Sequence, residues 1–540
     1  MSFVETWNRE SGNRRNVLPV EQKMADEKKR KDSVLEEVAE GIIVASTGVS
    51  DASLSYVDVV KADRTKSTLE AEKAAAEKAA FLGEAPIAST MWKLTWPDLI
   101  GKIVNALYVM VDAIYIGNMA GNTQNERSIA LAACTLAMPV DQLFNASIAF
   151  MIGVGSSALY SQNLGRNDLK AARRVIGNMY FLCVLVGILL PLISYWFIDD
   201  LLILAGATEE AGTLEAARLY LTPLLMLNIV VNLAISHNNA IRGEGNSVFS
   251  ATCMGVGAVI NIILDPILIK ATGNSIVGAA YATMTGNAVG ALMGVYYFMA
   301  NKGAIRLKWS DMIPDWNIIK NICSVGVSGM INGVSGSIVN VIMNNLLITY
   351  ASKTFNSLQV TEILAVLGAS GKMFFFCFMP MLSISHGSMP IYAYCYGAKR
   401  FSRFTSVMKI HFFVEVILGS IIAVFGMFSG NFLASMFSSS AFFHKVFAEG
   451  MRYCTAGFFA NSVTMVIFPS LQATGRGLAS AMIMLCKQMI FLIGFAYLFC
   501  NILGEWWGNM YAYPMAEVAG MCIATALFFI YKDVFTGKRA

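Results

Sequence analysis

From residue 91 onward, apolar residues run in long blocks that short polar stretches interrupt. Twelve blocks can be drawn, at roughly 91–117, 129–158, 174–197, 214–240, 247–270, 275–300, 317–350, 358–392, 405–429, 446–472, 477–500 and 510–532. Each reaches the about 20 residues that a helix needs to cross a bilayer. Longer blocks are accommodated by tilting, kinking or extension beyond the lipid. Backbone groups cannot go unpaired in lipid, so the blocks predict an all-α polytopic membrane protein with twelve transmembrane helices, spans 1 to 12 in chain order.

Composition agrees. Of 540 residues, 56% are apolar and 14% charged, against roughly 25% charged in a soluble domain. A soluble enzyme of this size would need more charge to cover its surface. Charge is concentrated at the start: residues 1–84 hold 13 basic and 16 acidic residues. Residues 1–85 therefore read as a polar, mostly disordered tail, although Lys28-Lys29-Arg30-Lys31 could also attract anionic lipid. The first ten residues contain Glu5, Arg9 and Glu10 and no apolar core, so span 1 is expected to direct insertion. The bases lie in short clusters between apolar blocks and offer no nucleic-acid surface. The ten cysteines include no CxxC pair and read as small apolar residues of the spans.

Basic residues recur in every second loop. One set holds 17, including Arg166, Lys170, Arg242, Lys308, Lys399, Arg476 and Lys538; the other holds Arg127, Lys270, Lys353 and Lys445. The positive-inside rule then places both termini in the cytoplasm. The chain also repeats weakly. Tyr160 to Arg166 follows span 2 and Tyr394 to Arg400 follows span 8; Gly245 opens span 5 and Gly475 opens span 11. Six spans separate the copies, so the halves share one orientation, a parallel pseudo-twofold repeat of the kind transporters use. The expected organisation is a first six-helix lobe at 88–301, a cytoplasmic loop at 302–316, a second lobe at 317–534 and a tail at 535–540. The loop, with Pro314, is the natural hinge. The glycines from Gly326 to Gly336 suggest close helix packing.

Acids inside a membrane are costly and mark functional positions. In the first half they are Asp112, Asp141 and Asp265. Asn261 and Asp265 are four apart and share a helix face. Pro266 has no N–H, so the carbonyl of Ile262 loses its helical partner. A carboxylate, an amide oxygen and a freed carbonyl suit a hard cation or a proton. Structural pairing is the alternative for each acid, above all for Asp141, whose neighbours are undistinctive. Glu415, Lys487 and Glu517, in spans 9, 11 and 12, could line the second lobe or pair with one another.

Val111 to Gly117, Gly153 to Gly165, Asn261 to Pro266, Gly278 to Thr283 and Pro390 to Lys399 follow one another in an order that resembles the multidrug and toxic compound extrusion (MATE) transporters, above all their MepA-like branch. The resemblance covers about residues 88–534. It implies two six-helix lobes around a central cleft and export of organic cations or amphipathic molecules in exchange for H⁺ or Na⁺. It implies a coupling site of Asp112, Asn261, Asp265 and Thr283, and a bend in span 1 at Pro97. It makes Lys372 and His386 of span 8 candidate cleft residues, the latter where that branch more often has an amide; Asp141, which has no counterpart there, is a third candidate for lining the cleft. A second-lobe cation site is not expected, since span 7 has no acid.

The resulting expectation is a monomeric, multi-pass antiporter of the plasma or an internal membrane, working on a small organic, cationic substrate by alternating access, with lipid around it and no cofactor beyond the coupling ion. A lipid-linked oligosaccharide flippase of related fold is the rival within transport; such exporters carry more bases in the cleft. A membrane-embedded enzyme is the rival of another class. His237, His386, His411 and His444 are scattered over different spans, and no catalytic motif is present.

Overall fold

The computed structural model describes residues 77, 80–119, 124–209, 212–300, 302–435 and 441–538; some side chains of spans 1, 2 and 8, including that of Lys372, and most of the polar tail lie outside the described residues. Among the described residues, ten helices are long and apolar enough to cross a membrane: Ile87–Ile116, Ile129–Gly165, Leu169–Leu204, Ser247–Thr272, Ser275–Met299, Trp316–Ala351, Ala369–Gly397, Phe401–Ser435, Gly477–Leu503 and Gly508–Phe535. Spans 4 and 10 complete the twelve, and each is broken. Thr213–Met226 meets Asn228–Gly243 at 59°, and Ala441–Ala456 meets Phe458–Ala473 at 42°. The broken residues, Leu227 and Gly457, stand 230 positions apart, the same offset as Gly245 and Gly475. At Leu227 the backbone leaves the helical range, with φ −95° and ψ 23°. At Gly457 the missing side chain lets span 12 approach: an added Cβ would lie 2.8 Å from the Cβ of Glu517.

Span 3 has 36 residues, about 54 Å at 1.5 Å per residue. That exceeds the roughly 30 Å hydrocarbon core, so its ends stand beyond the lipid. Asp199 and Asp200, expected in the following loop, ride on this helix, and Asp199 lies 3.5 Å from Arg218. The loop after span 6 is anchored. Its short turn Trp309–Met312 packs on span 3, where Asp315 N–H donates to Asn178 Oδ1 at 2.7 Å and Arg174 lies 3.5 Å from Asp315. The expected hinge is thus fastened to the first lobe.

Each lobe has its own core, one around Ala133, Leu221 and Ala280, the other around Leu347, Phe447 and Met510. A third cluster joins them. The joint is made at one end only. The Ser147–Gly165 half of span 2 packs on spans 7 and 8, and span 1 packs on span 8. The Gln124–Asp141 half packs chiefly within its own lobe. The lobes therefore close at a seam, where span 2 ends, and part towards the opposite end. At the seam the backbones meet through glycine, since Gly155 lies against Ile322 and Gly326 against Met151, an approach that any side chain would block. Residues 80–85, ahead of span 1, also lie at the seam. Leu82 is fully buried, and Arg400 and Arg403 of span 9 donate to the carbonyls of Gly83 and Ala85 at 2.9 and 2.6 Å.

Candidate functional site

Asn261 and Asp265 face span 6 from span 5 as their spacing predicts. Asn261 Nδ2 donates to Asp265 Oδ1 at 3.4 Å and to Thr283 Oγ1 at 3.3 Å. Asp112 faces them from span 1, within electrostatic reach of Asp265. All three expected oxygen ligands of spans 1 and 5 are buried, and Asp112 Oδ1, Asp265 Oδ2 and Asn261 Oδ1 have no hydrogen-bond donor among the described residues. Burying such atoms unpaired is expensive. A donor set of two carboxylates, an amide oxygen and a hydroxyl suits a hard cation or shared protons. Spans 1 and 5 remain helical through Pro97 and Pro266.

Two tyrosines not singled out by the sequence complete the surroundings. Tyr108 of span 1 lies within electrostatic reach of Asp112, Asp141 and Asp265, and Tyr220 of span 4 within reach of Asp112 and Asp141. Tyr108 is one turn before Asp112, a spacing that would have pointed to it.

Asp141 has a distinctive setting after all. Span 2 takes a π-helical turn at Gln142–Ala146, which inserts a residue and re-aims its neighbours. Asn145, on that turn, donates to Asp141 Oδ1 at 2.6 Å and to the carbonyl of Leu224 at 3.2 Å. That carbonyl belongs to the last turn before the break in span 4, so the amide serves a group the break frees. Asn228 then donates to Asn145, and Asn232 to Asn228. A buried amide ladder thus runs from Asp141 into the break.

The remaining candidates lie elsewhere. His386 is at the seam, its Nδ1 3.2 Å from Lys102 Nζ. Lys372 is on span 8, its side chain outside the described residues. The second-lobe ions pair: Lys487 Nζ lies 2.7 Å from Glu517 and donates to Asn461 at 2.8 Å, while Glu415 lies 3.2 Å from His411 Nε2. The first lobe holds further charge besides Asp112, Asp141 and Asp265. Asp98 and Lys102, within the first half of span 1, and Arg242 and Glu244, at the end of span 4, also lie inside it.

The model of the MatE family matches residues 97–267 and 337–498. The multidrug export protein MepA of Staphylococcus aureus (strain N315) is 23% identical over 457 residues, which are 84% of this chain and 96% of that protein. A crystal structure of a MATE protein in the bent conformation superposes with a TM-score of 0.74 at 23% identity, over 85% of this chain and 99% of that one. An outward-facing structure of a multidrug resistance MATE transporter of the MOP superfamily gives the same TM-score and identity over 84% and 98%.

Proposed function

The chain belongs to the MatE family, and from that membership we propose that it is a secondary antiporter exporting small organic cations or amphipathic molecules in exchange for H⁺ or Na⁺. Members of this family are transporters and not enzymes. The observation that carries the coupling reading is the meeting of Asp112, Asn261, Asp265 and Thr283 around buried oxygens without donors.

Two carboxylates within reach of each other repel when both are charged. A bound cation or proton relieves that repulsion, so occupancy and the packing of spans 1 and 5 are linked. Pro97 and Pro266 each remove a rung of the helix ladder and are where these spans bend as the lobes move. The organic cation enters the cleft between the lobes, where the acids of the first lobe favour positive charge. In the orientation set by the basic loops, both termini are cytoplasmic, the seam faces the cytoplasm and the cleft opens outward. We place the protein in the plasma membrane as a monomer, with lobes at 88–301 and 317–534, Lys372 and His386 on the cleft side of span 8, and no cofactor.

The test is export of a fluorescent organic cation from proteoliposomes under separately imposed Na⁺ and H⁺ gradients. Asp265→Asn and Asp112→Asn should each abolish gradient-driven export at normal protein levels. If sodium is the ion, Asn261→Ala and Thr283→Ala weaken the response to a Na⁺ gradient; if it is the proton, both keep most of theirs. Full gradient-driven export by Asp265→Asn would refute the coupling site.

A further inference from the structure

The seam holds a second set of charges that the coupling site does not use. Asp98, the residue after Pro97, has a side chain 3% exposed. Two cations of its own lobe contact it: Lys102, one turn along span 1, and Arg242, at the end of span 4. Arg242 also donates to Asn239 Oδ1 at 2.6 Å. The other lobe closes over this group. From span 8, His386 Nδ1 lies 3.8 Å from Asp98 Oδ2 and 3.2 Å from Lys102 Nζ, and Lys102 donates to Ser383 Oγ at 3.3 Å. One residue beyond His386, Gly387 lets Thr95 of span 1 approach, since an added Cβ would lie 2.7 Å from its Oγ1.

Lys102 is thus fixed by an acid of the first lobe and reaches polar groups of the second. The charge count makes Asp98 the centre. One carboxylate serves two basic side chains, and both act electrostatically on the neighbouring His386 ring. Without the carboxylate, two like charges would face each other in a dehydrated seam, which is strongly unfavourable. When the lobes part at this end, water reaches the group and screens the same charges. The carboxylate therefore removes a repulsion that would otherwise favour the open seam, and leaves Lys102 to bridge to Ser383 and His386 when it is closed.

We propose that Asp98 and Lys102, bridging to Ser383 and His386, form a charge latch that sets the balance between the seam-closed and seam-open states, with Asp98 as its positioning residue. The latch rests on the alternating-access reading but not on the identity of the coupling ion or substrate.

Amide hydrogen exchange, read by mass spectrometry on the full chain in lipid nanodiscs, tests it without any gradient or ligand. Asp98→Asn and Lys102→Met should speed exchange roughly tenfold in residues 158–165 and 391–398 at the seam. Both should slow exchange in residues 339–351 at the opposite end, because that end closes as the seam opens. Lys102→Arg, which keeps the charge and the reach, should exchange like the wild type. Lys102→Met leaves Asp98 and Arg242 as a neutral pair, so it carries the test if Asp98→Asn does not fold. The latch is overturned if both variants exchange like the wild type, or if exchange rises alike at both ends. Failure of the wild type to export under any gradient would instead sink the antiport reading and leave these exchange results in place.

Discussion

Gly326→Ala should separate the lobes at the seam. Gly326 of span 7 packs on the backbone of span 2, and a Cβ there would sit 2.7 Å from the carbonyl carbon of Met151. Two carbons in contact need about 3.5 Å, and the Met151 carbonyl oxygen lies nearer still, so the helices must part by more than about 1 Å or the backbone must bend. Gly155 offers no room to yield, because a Cβ on it would lie 2.8 Å from the carbonyl carbon of Ile322. Overpacking of this kind costs about 1–3 kcal/mol. The cost falls on the seam-closed state alone, so the balance should move towards the open state by roughly 5- to 150-fold. Gly336, ten residues along the same helix, is the control, since an added Cβ there meets nothing within 4 Å. Gly336→Ala should be neutral or stabilise the helix by about 0.5–1 kcal/mol. Both variants would be compared by amide exchange across residues 151–158 and by export from proteoliposomes. Faster exchange and slower export in Gly326→Ala alone is the expected result. Equal behaviour of the two variants would refute the close-packed seam.

Asp141→Asn should reduce export less than Asp112→Asn in the same proteoliposome assay, because its amide oxygen still accepts from Asn145. Lys487→Met should destabilise the second lobe by about 3–5 kcal/mol, since it strands the buried Glu517; thermal unfolding in detergent should show the loss, and Lys487→Met combined with Glu517→Leu should recover much of it. Deleting residues 2–79 should leave export largely intact, whereas Leu82→Ala should cost about 2–5 kcal/mol of stability, both measurable on purified protein. Ala205→Cys and Glu505→Cys should react with an impermeant thiol reagent added to intact cells and Lys308→Cys should not; labelling at 308 would reverse the assigned orientation.

The existence of twelve spans was legible because block length alone decides it. The breaks at Leu227 and Gly457 were not, because both blocks stay apolar on average and a bend leaves no mark on hydropathy. The pairing of Asn261 with Asp265 followed from helical spacing, whereas Thr283 could be added only through the family resemblance, since spacing does not link one helix to another. The Asp141 ladder was hidden for the same reason. Asn145 stands four residues after Asp141, but its contacts with Leu224 and Asn228 join span 2 to span 4 at the break. Asp98 and Lys102 were visible as an i, i+4 pair, but spacing along one helix does not show that Arg242 and span 8 close over them. The pairing of Lys487 with Glu517 rests on tertiary packing, which spacing along single helices does not reveal.

The matching breaks in spans 4 and 10 fix the alignment of the two halves at 230 positions, and that alignment exposes how they diverged. Shifted by that amount, Asn261 falls on Phe491 and Asp265 on Phe495. Those two rings stack with centroids 5.8 Å apart, on the helix that corresponds to span 5. One copy of a duplicated six-helix unit thus holds acid and amide where the other holds a greasy aromatic pair. Both inherited the same bend, but only one offers a charged seat at that place. The second copy carries no acid at that place, so a twofold scaffold houses two chemically unlike halves.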